Sequence, residues 1–561
     1  MTPLLSRLAA LSPRTFESDD ELSNDLELLG IDCAVRTWRQ AGDGLAVLSA
    51  TVGLAVTPLV TGVARSIVLA ATLLLAAGTV EGTVRVPRLL AAIVRRRALG
   101  GAPWLVCRAA MRLRVTPTLE AAAVAATDSS TVLGRDLAAS VRRGRATGTA
   151  GFDAFLTRWG AFPPLRRGVR LLADASRTDA ADRPQAIDRA LDAVLDGVRE
   201  RAADDAAELR GPVTAVYAFG VLLPLAFVAA LPAASVAGLP VSVPAIVLVY
   251  DIVLPVGLLA AGLWLTAKRP VAFPPTRISA AHPEVPSSPW RALAAGGSVA
   301  ACAAVAASIA LPSWTPPFAA VGFGLGAMLT VQYRPYRQLR AETDTLDAGL
   351  PDVLYGVGRR VRDGDPVERA IDATAETLDS PASVLFDRAN EQGAALGVGI
   401  ETALCGDRSP LASVPSRRVD DVARLFVDAA RAGQPAGPSL VAAGEYLGAL
   451  ARLETETRRS IRHATGTMGN TAALFGPLVG GVTVALAGRV GGSKLGEAIP
   501  QTGLALAVGV YILLLAVVLT ALATGLARGF DRSVVGYRVG LALLAATATY
   551  LAAIVAGGLL V

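Results

Sequence analysis

Lysine, histidine and cysteine are nearly missing from this chain of 561 residues. Lysine occurs only at Lys268 and Lys494, so arginine supplies almost every cation, a bias of composition that says little about mechanism. Two histidines, His282 and His463, are too few for a histidine-based metal centre. The four cysteines (Cys33, Cys107, Cys302, Cys405) are scattered with no Cys-x-x-Cys pair, which argues against a disulfide framework and a zinc site. Alternating β-branched runs bounded by turns are absent as well, so a sheet is not expected. Charged residues make up only 18% and are clustered, while 53% are hydrophobic and the mean hydropathy is +0.49. That is too apolar for an ordinary soluble protein and too long for one domain. A net charge of +6 is modest for this length; it suits orientation in a membrane, and no nucleic-acid partner is expected.

Motifs of catalysis are also lacking. Gly488-Arg489-Val490-Gly491-Gly492-Ser493-Lys494 has glycines and a lysine, but the order Ser-Lys replaces the Gly-Lys-Ser/Thr that a phosphate loop needs. Neither histidine sits in a Ser-His-Asp or Cys-His pattern. No catalytic residue, cofactor or metal is expected, and the chain reads as a non-enzyme.

What is present is apolar length. A spanning helix needs roughly 20 apolar residues, because lipid offers no partner for backbone groups. Nine stretches approach that length: 44–62, 66–84, 213–236, 241–267, 291–311, 316–333, 470–488, 502–526 and 535–560. The first 43 residues are acidic and polar, with no early apolar run of the secretory-leader kind. Ser18-Asp19-Asp20-Glu21 reads as a capping box opening a helix through Leu22, Leu26 and Leu29 at the cytoplasmic membrane surface. Arg95-Arg96-Arg97, Lys268-Arg269, Arg334 with Arg337, and Arg528 with Arg532 follow alternate spans, whereas 233–240 and 312–315 carry no charge. By the positive-inside bias, the N-terminus and both long hydrophilic segments face the cytoplasm and the C-terminus faces outside.

Those long segments form a repeat. Arg170-Leu171-Leu172-Ala173-Asp174-Ala175-Ser176-Arg177 recurs as Arg424-Leu425-Phe426-Val427-Asp428-Ala429-Ala430-Arg431, Pro103 and Glu120 as Pro351 and Glu368, and Pro224-Leu225 as Pro477-Leu478. The organisation is therefore an N-terminal helix segment (1–43), a span pair (44–84), a first cytoplasmic domain (85–212) and a span pair (213–267). A Pro-rich linker (268–290) leads to a further span pair (291–333), a second cytoplasmic domain (334–469) and three spans (470–561). Both domains show helical periodicity: Ile187, Leu191, Val194, Leu195 and Val198 in one, Leu447, Leu450, Leu453 and Ile461 in the other. Asp365, Pro366 and Glu368 read as cap, first helical residue and acid of a helix start. The expected fold is all-α: a polytopic membrane protein with about nine spans and two cytoplasmic helical bundles.

Leu350-Pro351-Asp352-Val353-Leu354, the stretch Arg362-Asp363-Gly364-Asp365-Pro366-Val367-Glu368-Arg369-Ala370-Ile371 and the run Arg424–Gly433 carry a resemblance to the type II secretion system protein F superfamily. Its members are membrane platforms of type II secretion systems, type IV pili and archaella. The resemblance covers both cytoplasmic segments and the spans after them, and the number of spans is closer to the archaeal branch. It implies a six-helix cytoplasmic domain closed by a Pro-Leu span, and as partners a hexameric secretion ATPase, pilin-like subunits and membrane lipid. Copy one departs from the pattern: Val115-Thr116-Pro117 lacks the turn glycine that Gly364 supplies, and 134–166 has drifted. If one domain couples to the ATPase, copy two is the stronger candidate on these residues.

On that resemblance, Arg95, Arg96, Arg97, Arg359, Arg360, Arg362, Arg417, Arg418, Arg458, Arg459 and Arg462 are the ATPase-contact candidates. Asp188, Asp192 and Asp196 with Arg199 and Arg201 read as a solvated helix face. Asp251, deep in 241–267, is the intramembrane polar candidate, since a carboxylate there needs a partner, a proton or a wet cavity. No other span carries a second mid-depth carboxylate, so aspartyl-protease chemistry is not expected. Gly322/Gly326 and Gly476/Gly480 form small faces that serve a homodimer or packing within the chain. The alternative to a platform is a multispan transporter, which calls for inverted repeats and polar groups meeting at the midplane.

Overall fold

The computed structural model describes residues 2–14, 19–59, 63–128, 131–148, 151–237, 242–269, 278, 282, 285, 289–433, 436–490, 501–529 and 531–560. Among these residues the regular elements are all helical. Helices α1 (Thr2–Ala9), α2 (Asp20–Leu28), α3 (Val35–Val56) and the long α4 (Val63–Leu99) open the chain. The first bundle comprises α5 (Ala102–Val115), α6 (Leu119–Ala125), α7 (Val132–Thr147), α8 (Phe152–Trp159), α9 (Pro163–Arg177) and α10 (Arg183–Tyr217). A π-helical segment, Ala218–Leu222, carries α10 into α11 (Leu223–Val236). Next, α12 (Val243–Ile246), a second π segment (Val247–Val253) and α13 (Leu254–Ala267) form one rod. Then α14 (Trp290–Ala310) precedes α15 (Thr315–Asp363), whose second half enters the other bundle. That bundle continues with α16 (Val367–Thr377), α17 (Pro381–Leu396), α18 (Ile400–Cys405), α19 (Arg417–Ala432) and α20 (Gly437–Asn470). A third π segment, Thr471–Phe475, leads to α21 (Gly476–Val490), before α22 (Gln501–Arg528) and α23 (Arg532–Leu560).

Each copy of the repeat is thus six helices, α5–α10 answering the end of α15 plus α16–α20 in order. Their apolar stripes merge: Phe155, Leu165, Leu172 and Val194 of copy one belong to the same buried cluster as Phe386, Val419, Phe426 and Leu447 of copy two. Phe386 and Phe426 meet edge-on at 5.2 Å. The turns differ as the missing glycine requires. Gly364 sits at φ +110°, and the Gly364 and Asp365 amides donate back to Val361 and Arg360 at 3.1 and 3.0 Å, a Schellman closure. Helix α16 then starts at Val367, leaving Pro366 rather than Asp365 at its cap. Copy one ends α5 in an extended Thr116, and Thr118 caps α6 by accepting from the Ala121 amide. At the N-terminus, Asp19 caps α2 by accepting from the Leu22 amide at 3.1 Å, while Ser18 lies outside the described residues.

Six helices among the described residues are long and apolar enough to cross a membrane: Arg183–Ala234, Val243–Ala267, Trp290–Ala310, Thr465–Arg489, Thr502–Ala527 and Arg532–Leu559. The expected stretches 44–62, 66–84 and 316–333 do not join them: α3 and α4 are described only in part there, and Pro316, Pro317 and three glycines dilute the start of α15. The apolar part of α22 is two-thirds buried (67%), against 17–50% for the others, so α22 is the axis of the membrane cluster.

The three π segments share a cause. Each ends two residues before a proline: Leu222 before Pro224, Val253 before Pro255, Phe475 before Pro477. Proline has no N–H, and its ring collides with the carbonyl four residues back; a wider turn relieves that collision without ending the helix. The first and third segments belong to the repeat, and the Tyr217 and Thr471 hydroxyls join them at 2.6 Å. Within the membrane cluster the glycine faces pack inside the chain, Gly322 and Gly326 against Thr547 and Leu544, Gly480 against Ile512. A Cβ at Gly322 would lie 2.1 Å from the Thr547 hydroxyl. Gly322→Val is therefore expected to cost about 1–3 kcal/mol by overpacking, read as a lowered thermal midpoint in detergent; an unchanged midpoint would refute this packing.

Candidate functional site: the seam between the bundles

The two bundles touch along one seam, and it is built unequally. Helix α5 packs against α10 of its own copy and against α20 of the other, and α10 lies along α20. No matching seam of α15 on α9 and α10 forms among the described residues. The fixed point is Arg108 on α5. Its guanidinium lies 3.4 Å from Asp421 on α19, both side chains being close to nine-tenths enclosed (13% and 12% exposed). It also donates to the Ala125 carbonyl at 2.7 and 3.1 Å and to that of Thr127 at 2.7 Å, closing the end of α6. Burial pushes the Asp421 carboxyl up to about 6, with Arg108 pulling the other way.

Further pairs surround this one. Arg417 reaches Asp128 at 3.1 Å across the seam, and Arg199 meets Glu456 at 3.2 Å nearer solvent. On the copy-two side Glu454 holds both Arg418 (2.8 Å) and Arg458 (2.5 Å), while Ser416 donates to Asp347. Burial works against charge on Arg418, yet Glu454 more than compensates and its pKa stands raised. The buried Tyr446 hydroxyl donates to the Pro103 carbonyl at 3.1 Å, tying α20 to the start of α5. A cavity of about 230 Å³ remains between Trp104, Arg108, Asp347 and Glu454. Cys107, buried in the shared core, has its thiol pushed up to about 12 by burial, which disfavours the reactive thiolate.

The arginines singled out from the sequence therefore divide. Arg417, Arg418 and Arg458 are committed to the seam. Arg360 donates to the Ala373 carbonyl at 2.6 Å and to the Thr374 and Thr377 hydroxyls, fastening α15 to α16. Arg95 pairs with Asp25 on α2 at 3.5 Å. Arg96 donates to the carbonyls of Lys268 and Arg269 at 3.0 and 2.9 Å and lies 3.6 Å from Asp205, so it anchors the beginning of the linker. Arg97 stands beside Arg269, whose pKa falls to about 10 through burial, with Arg97 and Arg458 adding repulsion. Arg362 pairs with its neighbour Asp363. Arg359, Arg459 and Arg462 are exposed without an ion pair among the described residues. Sequence reasoning passed over Arg108, Asp128, Asp421 and Glu454. The signal available was charge difference between the copies, Asp421 standing where copy one has Arg167.

That difference is general: 85–212 holds 22 arginines and 14 carboxylates, and 334–469 holds 17 and 20, so the seam joins a basic domain to an acidic one. Asp251 lies apart, on the second π segment. Its Oδ1 is enclosed with no hydrogen-bond partner among the described residues, while neighbouring Tyr250 donates to the Pro224 carbonyl at 3.1 Å and stands edge-on to Tyr511 at 5.1 Å. Of Gly488–Lys494, residues 491–494 lie outside the described residues. No cluster of His, Cys, Asp and Glu suited to a metal occurs among the described residues. No protein-family model, no curated protein and no solved structure matches the chain.

Two outcomes test the seam. Arg108→Ala leaves Asp421 enclosed without its counter-charge and should lower stability by about 3–5 kcal/mol, whereas the double change Arg108→Met with Asp421→Leu should lose clearly less; equal losses would show the pair is peripheral. The second concerns pH. The Asp421 carboxyl titrates near 6 in the folded chain and at its ordinary, lower value when unfolded, so folding takes up a proton between those values. Stability of wild type relative to Asp421→Asn should therefore rise as pH falls from 7 to about 4.5, and thermal melts of both proteins across that range measure it.

Proposed function

We propose that this protein is a non-enzymatic membrane platform of the kind that assembles type IV pilus-like, archaellum-like or type II secretion-like filaments, and that it passes movement from a cytoplasmic hexameric ATPase to pilin-like subunits in the membrane. The observation that carries this reading is mechanical. Helices α10, α15 and α20 run unbroken from the shared bundle core toward or into the apolar layer: Arg183–Ala234 is one rod of 52 residues and α15 has 49. At 1.5 Å per residue, α15 alone is roughly 70 Å long. A torque applied to such a pair of bundles turns the spans attached to them, because the helices continue through Pro212 in α10 and Pro335 in α15 with no loop between bundle and apolar stretch.

On this reading about nine spans cross the membrane, with the N-terminus and both bundles in the cytoplasm and the C-terminus outside. The uncharged connection 312–315 and the Arg-rich ends of the alternate spans support that orientation. Residues that hold the bundles together, Arg108 and Asp421 above all, position the levers and touch no partner.

Deletion of the gene should abolish surface filaments, and the wild-type chain should restore them and co-purify with the ATPase and the subunits. Insertion of Gly-Ser-Gly after Gln338, an exposed position on α15 between the apolar stretch and the bundle, breaks the lever without touching the core. The inserted protein should accumulate in the membrane at near wild-type level and give no filaments. Uptake of a solute by the purified protein alone in vesicles would overturn the platform reading in favour of transport.

A further inference from the structure

The face of copy two that receives α5 has an exact counterpart in copy one, and there it is open. Along α9 and α19 the copies correspond at an offset of 254, as the matched core residues Leu165 and Val419, Leu172 and Phe426 show; along α10 and α20 the offset is 253, matching Ile187 to Leu440 and Val194 to Leu447. In copy two the seam is lined by Asp421 and Arg424 of α19 and Tyr446, Leu450 and Glu454 of α20. The corresponding residues of copy one, Arg167, Arg170, Ala193, Gly197 and Arg201, line a groove of about 540 Å³ open to solvent. Where copy two presents Tyr446 and Leu450, copy one has Ala193 and Gly197, with the Pro164 ring against Gly197 as the floor of the groove. Where copy two has Asp420, Asp421 and Glu454, copy one has Arg166, Arg167 and Arg201; with Arg170 these outnumber the two carboxylates, Glu200 and Asp204, that also line the groove.

Arg166, Arg167 and Arg170 are exposed and have no ion pair among the described residues, unlike the seam arginines. We infer that this α9–α10 groove is a docking site for an acidic amphipathic helix of a cytoplasmic partner protein. The occupant is helical because the same face on copy two takes a helix, α5, along its length. It is acidic because Asp421, which meets Arg108 in copy two, is replaced here by Arg167, and the arginines of the groove outnumber its two carboxylates. A second copy of this chain is disfavoured: its element equivalent to α5 is the end of α15, which packs on α16, α17 and α20 and exposes Arg359, a charge of the same sign as the groove arginines. The groove lies at Gly197, some fourteen residues down α10 from the apolar stretch that starts near Gly211, roughly 20 Å of helix; that exceeds the Debye length, so a lipid headgroup does not reach it. This places the partner contact on copy one, and the platform reading enters only in suggesting that the partner is the ATPase.

The test uses the full-length protein in phosphatidylcholine nanodiscs. The probe is a fluorescent peptide of about 18 residues with one leucine stripe and glutamates on the other faces, and the control peptide has the same composition with the stripe scrambled. The striped peptide should bind by anisotropy, weakening with salt, and the scrambled one at least about tenfold less tightly. Arg166→Glu, Arg167→Glu and Arg170→Glu together should weaken the striped peptide by about tenfold or more, while the three lysine substitutions leave it within about twofold. Ala193→Glu, which sets a carboxylate on the floor of the groove with every arginine in place, should weaken the striped peptide by about tenfold, so the inference stays testable if the charge reversals unfold the bundle. Equal binding of both peptides, indifference to all three variants, or displacement by phosphatidylglycerol vesicles as readily as by unlabelled striped peptide would overturn the inference. These outcomes are read without filaments, so they fail or succeed apart from the platform reading.

Discussion

Arg108 against Asp421 is the contact on which the arrangement of the two bundles depends. One guanidinium closes the end of α6 within copy one and meets a carboxylate of copy two, so the internal order of the first bundle and its position on the second are set together. A buried pair of this kind contributes little net stability, because both charges lose water, but it penalises any register that separates them. Apolar burial supplies the attraction, through a core that runs without interruption from Phe155 to Phe426. The charges decide which of the available packings is used.

The choice has a geometric consequence. Two equivalent domains can join through a shared two-fold face or through two different faces. Here α5 of copy one meets α19 and α20 of copy two, and the reverse contact is not made, so one face of each type is left over. A contact of that class repeats from molecule to molecule unless something stops it. Both leftover faces expose arginines without ion pairs among the described residues, Arg166, Arg167 and Arg170 on one side and Arg359 on the other. Like charge at both ends favours a closed unit of two domains over an open-ended chain of them.

Composition, periodicity and the internal repeat were enough for the helical class, the duplication and six of the apolar spans, because each of these is written in spacing along the chain, whereas six helices per copy were implied only by the resemblance. The π segments were partly legible: Pro224, Pro255 and Pro477 mark the sites, although proline alone does not distinguish a kink from a widened turn. The seam was not legible from motifs. Arg417 and Arg418 look like any exposed basic pair until Asp128, nearly 290 positions away, is placed beside them. Ion pairs between copies leave no periodic trace. What the sequence does contain is the difference between the copies, Arg167 against Asp421 and Arg201 against Glu454, and this becomes informative only when the repeat is aligned helix by helix. The glycine faces show the opposite case: small residues at four-residue spacing announce close packing, but only the contacts with Thr547 and Ile512 show that the packing is internal.

The copies have also diverged within the membrane, and in the same sense. Helix α22, the second unit's closing span, has no charge between Leu504 and Leu522 and forms the buried axis around which the others pack. Its counterpart, the α12–α13 rod, lies at the edge, with Ile252 and Val253 outward, and carries Asp251 on a widened turn. A carboxylate on α22 would have been sealed among Val508, Ile512 and Leu515, whereas the edge rod leaves Asp251 only partly buried. Copy two thus furnishes the interior twice, as the covered face of the seam and as the axis of the span cluster. Copy one furnishes the outside twice, as the open groove on α9–α10 and as the rod bearing Asp251. Duplication followed by burial of one copy releases the other from packing constraints, and the polar residues without internal partners accumulate on the copy that was left at the surface.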